Sequence, residues 1–337
     1  MTAMLRVLHE IPAGLLTARA DELQNLLGGP TLIHLTGRRD DTLFVSTLLH
    51  GNEDTGWLAL QALLQKYGSH GLPRNLSLFI GNVSAAQQHL RRLEHQPDYN
   101  RVWPGAADDG TPEHMLMREV MAQMAGRQLF ASVDIHNNTG LNPHYACINR
   151  LEQPFFHLAT LFSRTVVYFV RPQGVQSSAF ATLCPAVTLE CGKSGSADSV
   201  EHALGFLDAC LHLAHFPEHA VAPHDMDLFH TVATVKIADD LQFGFGPGPG
   251  ALRLDAALDH MNFRELSPGT RFGQLAMDSL ACLDVRDETG HDVAERYFST
   301  HHGELVTRRP IMPAMLTRDE QVIRQDCLCY LMERLAY

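Results

Sequence analysis

The chain has 337 residues, 45% of them hydrophobic and 19% charged, with a formal net charge of −12. That composition excludes a disordered chain, and the length suits one large domain plus a smaller one. The negative balance argues against nucleic acid as the main partner, and no apolar run approaches the roughly 20 residues of a membrane span.

The start, Met1-Thr2-Ala3-Met4-Leu5-Arg6, lacks a basic segment followed by a long apolar core, so no signal peptide is expected. The seven cysteines are odd in number, scattered and without a CxxC pair. Reduced thiols in a cytoplasm suit that pattern better than a disulfide framework or a thiolate zinc knuckle. A homo-oligomer is left open.

From about residue 31 to 206, short apolar runs alternate with longer helical patterns. Residues 31–35, 43–49, 76–80, 130–135, 145–148, 165–170 and 186–189 read as strands. Residues 57–67, 113–124, 153–162 and 200–212 read as helices. Strands separated by helices predict an α/β fold with a mixed, largely parallel sheet covered on both faces, and ligands at the carboxyl ends of its strands. The Pro- and His-bearing stretch 215–223 reads as a linker. Beyond it, short runs at 231–237, 272–276 and 281–285 are broken by turn signals such as Gly246-Pro247-Gly248-Pro249-Gly250. The expected division is a catalytic domain over 1–222 and a smaller β-rich domain over 223–337. The latter should end in a helix from Arg318, capped by Thr317 and Glu320, with Leu328, Leu331, Met332 and Leu335 along one face.

The chemistry-bearing residues cluster at predicted strand ends. His50-Gly51-Asn52-Glu53 follows the run 43–49, and Asp134-Ile135-His136 closes another. Two imidazoles and a carboxylate converging there form the ligand set of a catalytic zinc, one per chain, with one position left for water. Asp134 is placed to orient His136 through its other ring nitrogen. Alone, an HxxE also arises when a strand-end histidine precedes an acid that satisfies a helix dipole. Glu190, before Cys191-Gly192, is a candidate for moving a proton to and from a water at the metal; a solvated strand-end acid is the plainer alternative. Arg101 with Asn100 suits a substrate carboxylate, and Arg91 suits an oxygen on which charge develops. The alternative there is a solvated basic loop paired with Glu94 and Asp98, the reading adopted for Arg92 and Glu94. There is no HExxH, no phosphate-binding glycine loop and no GxSxG.

HGNE at 50–53, Arg91 followed by Asn100-Arg101, Asp134-x-His136 and Thr188-Leu189-Glu190-Cys191-Gly192-Lys193 stand in the order found in zinc carboxypeptidase-like enzymes. They resemble most the succinylglutamate desuccinylase/aspartoacylase family, over roughly residues 40–200. The resemblance implies zinc held by His50, Glu53 and His136. It implies Glu190 as general base and acid, Arg91 as oxyanion stabiliser, and Asn100 with Arg101 as a carboxylate clamp. The implied reaction is hydrolysis of a small N-acyl amino acid; the alternative is a metallocarboxypeptidase acting on short peptides. Two departures stand out. Gln96-Pro97 is an extra pair between Arg91 and Asn100, and no arginine lies between Pro172 and Leu189. The second departure argues against N-acetylaspartate, whose other carboxylate needs such a partner.

Overall fold

The computed structural model describes residues 5–68, 70–107 and 110–337. The expectation about residues 1–6 therefore falls mainly on residues outside the described ones. The chain separates into two compact units. One comprises residues 1–137, 144–227 and 337; the other comprises 138–143 and 228–336.

The sheet of the first unit contains β1 (Arg6–Leu8), β2 (Thr31–Leu35), β3 (Thr42–Thr47), β4 (Asn75–Ile80), β5 (Leu129–His136), β6 (Tyr145–Ile148), β7 (Thr165–Tyr168) and β8 (Ala186–Glu190). Their spatial order is β1-β2-β4-β3-β5-β8-β6-β7. β4, β3, β5 and β8 run parallel, while β2 and β6 join this centre antiparallel. Every residue of β3 is buried, so that strand shows no alternation of buried and exposed positions, as expected of a strand covered on both faces.

Two contacts show that both faces are covered. Phe44 stacks on Phe180 of the helix Gln176–Phe180, with ring centroids 4.2 Å apart. Thr47 and Ile135 lie instead under Gly56 of the helix Thr55–Tyr67, where an added Cβ would meet Thr47 Oγ1 at 2.6 Å. Residues 44 and 47 point to opposite sides of a strand, so the two helices lie on opposite faces.

The second unit has a five-stranded sheet, in the order Phe243–Phe245, Leu252–Leu254, Arg271–Leu275, Glu304–Thr307 and Phe298–His301. Its core includes Phe272 and Phe298, packed edge to face at 5.2 Å. The chain end departs from expectation. Only Glu320–Gln325 is helical, capped by Asp319, whose side chain accepts from the amides of Gln321 and Val322. Cys329–Arg334 is a strand, antiparallel to Asp227–Ile237. Leu328, Leu331 and Met332 are all buried, and buried apolar residues at these intervals imitate helical spacing in the sequence. Among the described residues no helix is long and apolar enough to cross a membrane.

Candidate metal centre and catalytic site

β3, β5 and β8 run in one direction, so their carboxyl ends share one edge of the sheet, where this fold places ligands. His50 lies three residues beyond β3 rather than at its end. Leu48 takes a left-handed backbone, φ 54°, which turns the chain away from the strand. The following residues carry His50 and Glu53 to the start of the helix Thr55–Tyr67. Gly51 has a different task from a flexible turn. A Cβ there would meet Ala86 N at 2.2 Å and Ala85 C at 2.4 Å, so hydrogen is the largest substituent the site admits.

His50, Glu53 and His136 are buried, and one ligand atom from each lies within 4.8 Å of the other two. His50 Nδ1 is 2.8 Å from Glu53 Oε1, and His136 Nδ1 is 2.7 Å from Glu53 Oε2. The two Nδ1 atoms are 3.2 Å apart. Both outer nitrogens rest on carboxylates: His50 Nε2 on Asp98 at 3.0 Å and His136 Nε2 on Asp134 at 2.7 Å. Asp134 is itself held by Ser46 Oγ at 2.6 Å. Asp98 and Asp134 thus engage the two Nε2 atoms, and each Nδ1 is directed inward towards Glu53.

Burial opposes the charged form of His136, but Asp134 and Glu53 outweigh it and hold its pKa well above the usual value. His50 is raised too: Glu53 and Asp98 overcome burial and the repulsion of Arg91. Glu53 and Asp98 are lowered although burial opposes ionisation, because the imidazoles, and for Asp98 also Arg91 and Arg101, favour the anion. Two buried carboxylates, Glu53 and Asp134, and the half-buried Asp98 thus surround two imidazoles and the Arg91 guanidinium. Two inward Nδ1 atoms and a carboxylate form a donor set that fits a divalent cation such as zinc.

Glu190 ends β8, and its direct partner in the adjoining parallel strand is His136. The two side chains share a face of the sheet, on strands about 4.8 Å apart. Cys191, one residue on, is fully buried, and burial pushes its thiol up, as expected of a packing residue.

Arg91 donates from Nη2 to Asp98 at 3.0 Å, with Nη1 3.7 Å from Glu53. Asn100 is buried; its Nδ2 lies 3.1 Å from His136 Nε2 and its Oδ1 accepts from Gln176 N at 2.9 Å. Arg101 is half-buried and donates to the Asn100 carbonyl at 2.9 Å. The extra pair is absorbed locally: Gln96 Oε1 accepts from Asn82 Nδ2 and from Leu93 N, and its Nε2 donates to Ser84. Asp98, expected only as an ion-pair partner of the basic loop, does pair with Arg91, but its contact with His50 was not foreseen. It joins His50 to Arg91, and it also accepts from Asn100 N at 2.7 Å. An acid two residues before a candidate site residue was the available signal, repeated in Asp134 before His136.

A family model described as the succinylglutamate desuccinylase/aspartoacylase catalytic domain matches residues 39–212, just over half of the chain. The chain belongs to this family. It is accordingly a hydrolase of the succinylglutamate desuccinylase/aspartoacylase type. Solved structures share the fold across most of their length. Succinylglutamate desuccinylase from Chromobacterium violaceum superposes with a TM-score of 0.55 at 16% identity, covering 89% of this chain and 86% of its own. Murine aminoacylase 3 gives 0.58 at 15% identity, covering 89% and 97%. The ectoine utilization protein EutE (DoeB) from Ruegeria pomeroyi gives 0.55 at 16% identity, covering 90% and 88%. No curated protein matches the chain by sequence at a significant level.

Proposed function

We propose that the chain is a zinc-dependent hydrolase that cleaves the amide bond of a small N-acyl amino acid. The observation that carries this reading is the pair of inward Nδ1 atoms facing Glu53, each with its Nε2 seated on its own carboxylate. Such outer carboxylates fix the tautomer and orientation of metal-binding histidines. His50, Glu53 and His136 would hold one zinc ion, which when bound acidifies a water and polarises the scissile carbonyl.

The protein's own groups account for the rest. Glu190, beside His136, takes the proton of the attacking water and returns it to the leaving nitrogen. Arg91, aimed by Asp98, stabilises the charge that develops on the carbonyl oxygen. Arg101 with Asn100 anchors the substrate carboxylate through charge-assisted hydrogen bonds. A reducing cytoplasm suits the seven buried free thiols.

The test is elemental analysis of the purified protein, followed by turnover of its zinc-loaded form. The substrates are a panel of N-succinyl- and N-acetyl-amino acids, with dipeptides and longer peptides alongside. Preference for N-acyl amino acids is expected. Preference for peptides would replace this reading with a metallocarboxypeptidase, and zinc binding without any amide turnover would remove the enzymatic reading.

A further inference from the structure

We propose that Asn137 is a positioning residue that keeps Glu53 and Glu190 in fixed relation to each other. The inference rests on the hydrolase reading above and adds a residue that touches neither substrate nor metal. Asn137 immediately follows β5 and is 4% exposed. Its Oδ1 accepts from Thr55 N at 3.2 Å, and its Nδ2 donates to Thr55 Oγ1 and to the Gly192 carbonyl, both at 2.9 Å. Thr55 N only donates and the Gly192 carbonyl only accepts, so the orientation of the amide is determined. The backbone N–H of Asn137 also donates to Glu53 Oε2 at 3.1 Å.

Each bond reaches a segment that bears an acid. Thr55 opens the helix Thr55–Tyr67, two residues after Glu53, and the N-cap residue Asp54 gives that helix no side-chain cap. Asn137 supplies the missing acceptor from the neighbouring strand, satisfying an amide that a helix start leaves without a partner. Gly192 lies two residues beyond Glu190, where the chain turns with φ 68°. The backbone ladder between β5 and β8 ends with Cys191 N donating to the His136 carbonyl at 2.9 Å. The Asn137–Gly192 bond extends the join one step further. One side chain therefore fastens the segment of the metal-binding acid to the segment of the proton-transferring acid. Misplacement by about 1 Å costs on the order of 100-fold in turnover, which sets the scale of the effect.

The amide is matched to this task. Alanine removes both links. Aspartate keeps an acceptor for Thr55 N and can accept from the Thr55 hydroxyl, but sets a carboxylate against the Gly192 carbonyl. The Asp variant thus severs the Glu190 link and spares the Glu53 link. Thr55→Val does the reverse in part, removing the hydroxyl at nearly constant shape.

The experiment measures zinc affinity, by competition with a chromophoric chelator, and kcat and KM on the best N-acyl amino acid of the panel. Asn137→Ala should lose roughly 10- to 100-fold in kcat with little change in KM, and about 10-fold in zinc affinity. Asn137→Asp should lose kcat comparably while zinc affinity stays near that of the wild type. Thr55→Val should weaken zinc binding more than it slows turnover. A folded Asn137→Ala protein with unchanged kcat and zinc affinity would overturn the inference, as would a rise in KM alone. So would unfolding of both Asn137 variants while Thr55→Val remains indistinguishable from wild type, which would leave only a structural role. Failure of the wild type itself to bind zinc would instead defeat the functional reading.

Discussion

His50 and Asp98, 48 residues apart in the chain, are joined by a hydrogen bond of 3.0 Å from Nε2 to Oδ1. The other oxygen of Asp98 accepts from Arg91, so one carboxylate orients both an imidazole and a guanidinium. Asp98→Ala should weaken zinc binding about 10- to 100-fold, the usual consequence of losing such a partner. Asp98→Asn keeps an acceptor and should lose less. Competition titration with a chelator measures both, and equal affinities for Asp98→Ala and wild type would contradict the assignment.

Glu190→Gln and His136→Ala separate metal binding from proton transfer. The glutamine variant should retain zinc and lose about 100- to 10,000-fold in turnover, whereas the alanine variant should lose both. Elemental analysis paired with kinetics decides this. Full activity in Glu190→Gln would remove the proposed base.

Zinc should also stabilise the fold by mass action. At 100-fold excess over its dissociation constant a ligand adds about 2.7 kcal/mol. A rise in Tm with added zinc is expected for the wild type and not for His136→Ala, read by thermal melts of chelator-stripped protein. Identical shifts in the two proteins would place the ion elsewhere.

Gly51→Ala tests the close approach behind His50. Its Cβ would press into the backbone of Ala85 and Ala86, which cannot yield as a side-chain tip can. A loss of about 1–3 kcal/mol is expected from overpacking, with turnover reduced because His50 is the adjacent residue. The midpoint of urea unfolding is the readout, and an unchanged midpoint would show that the loop has room.

His34 should make stability depend on pH. Burial first, then the positive charges of Arg127 and His9, lower its pKa from 6.5 to about 4, and its Nδ1 bonds Ser77 Oγ at 2.8 Å. The unfolded chain takes up this proton at higher pH than the folded one. The contribution is therefore complete above pH 6.5 and is lost as pH falls from 6.5 towards 4, by up to about 3 kcal/mol. Unfolding midpoints at pH 7 and pH 4.5 should differ less for His34→Asn than for the wild type; equal differences would acquit this histidine.

Strands, helices and the order of motifs were legible because they are local. The buried run Thr42–Thr47, the HxxE after it and the acid closing Ala186–Glu190 each reflect burial or turn chemistry written in a few consecutive residues. The terminal strand was not, because its buried Leu328, Leu331 and Met332 stand at the spacing of a helix face.

The roles of Asp98 and Asn137 were hidden for a different reason. Hydrogen bonding is short-ranged and directional, so a side chain's partners depend on which strand ends are neighbours. That adjacency exists only once β3, β5 and β8 lie side by side. The primary chain thus determined which chemical groups are present and on which kind of element. Three-dimensional packing decided which ring nitrogen faces inward, which carboxylate steadies it, and which acid stands beside His136.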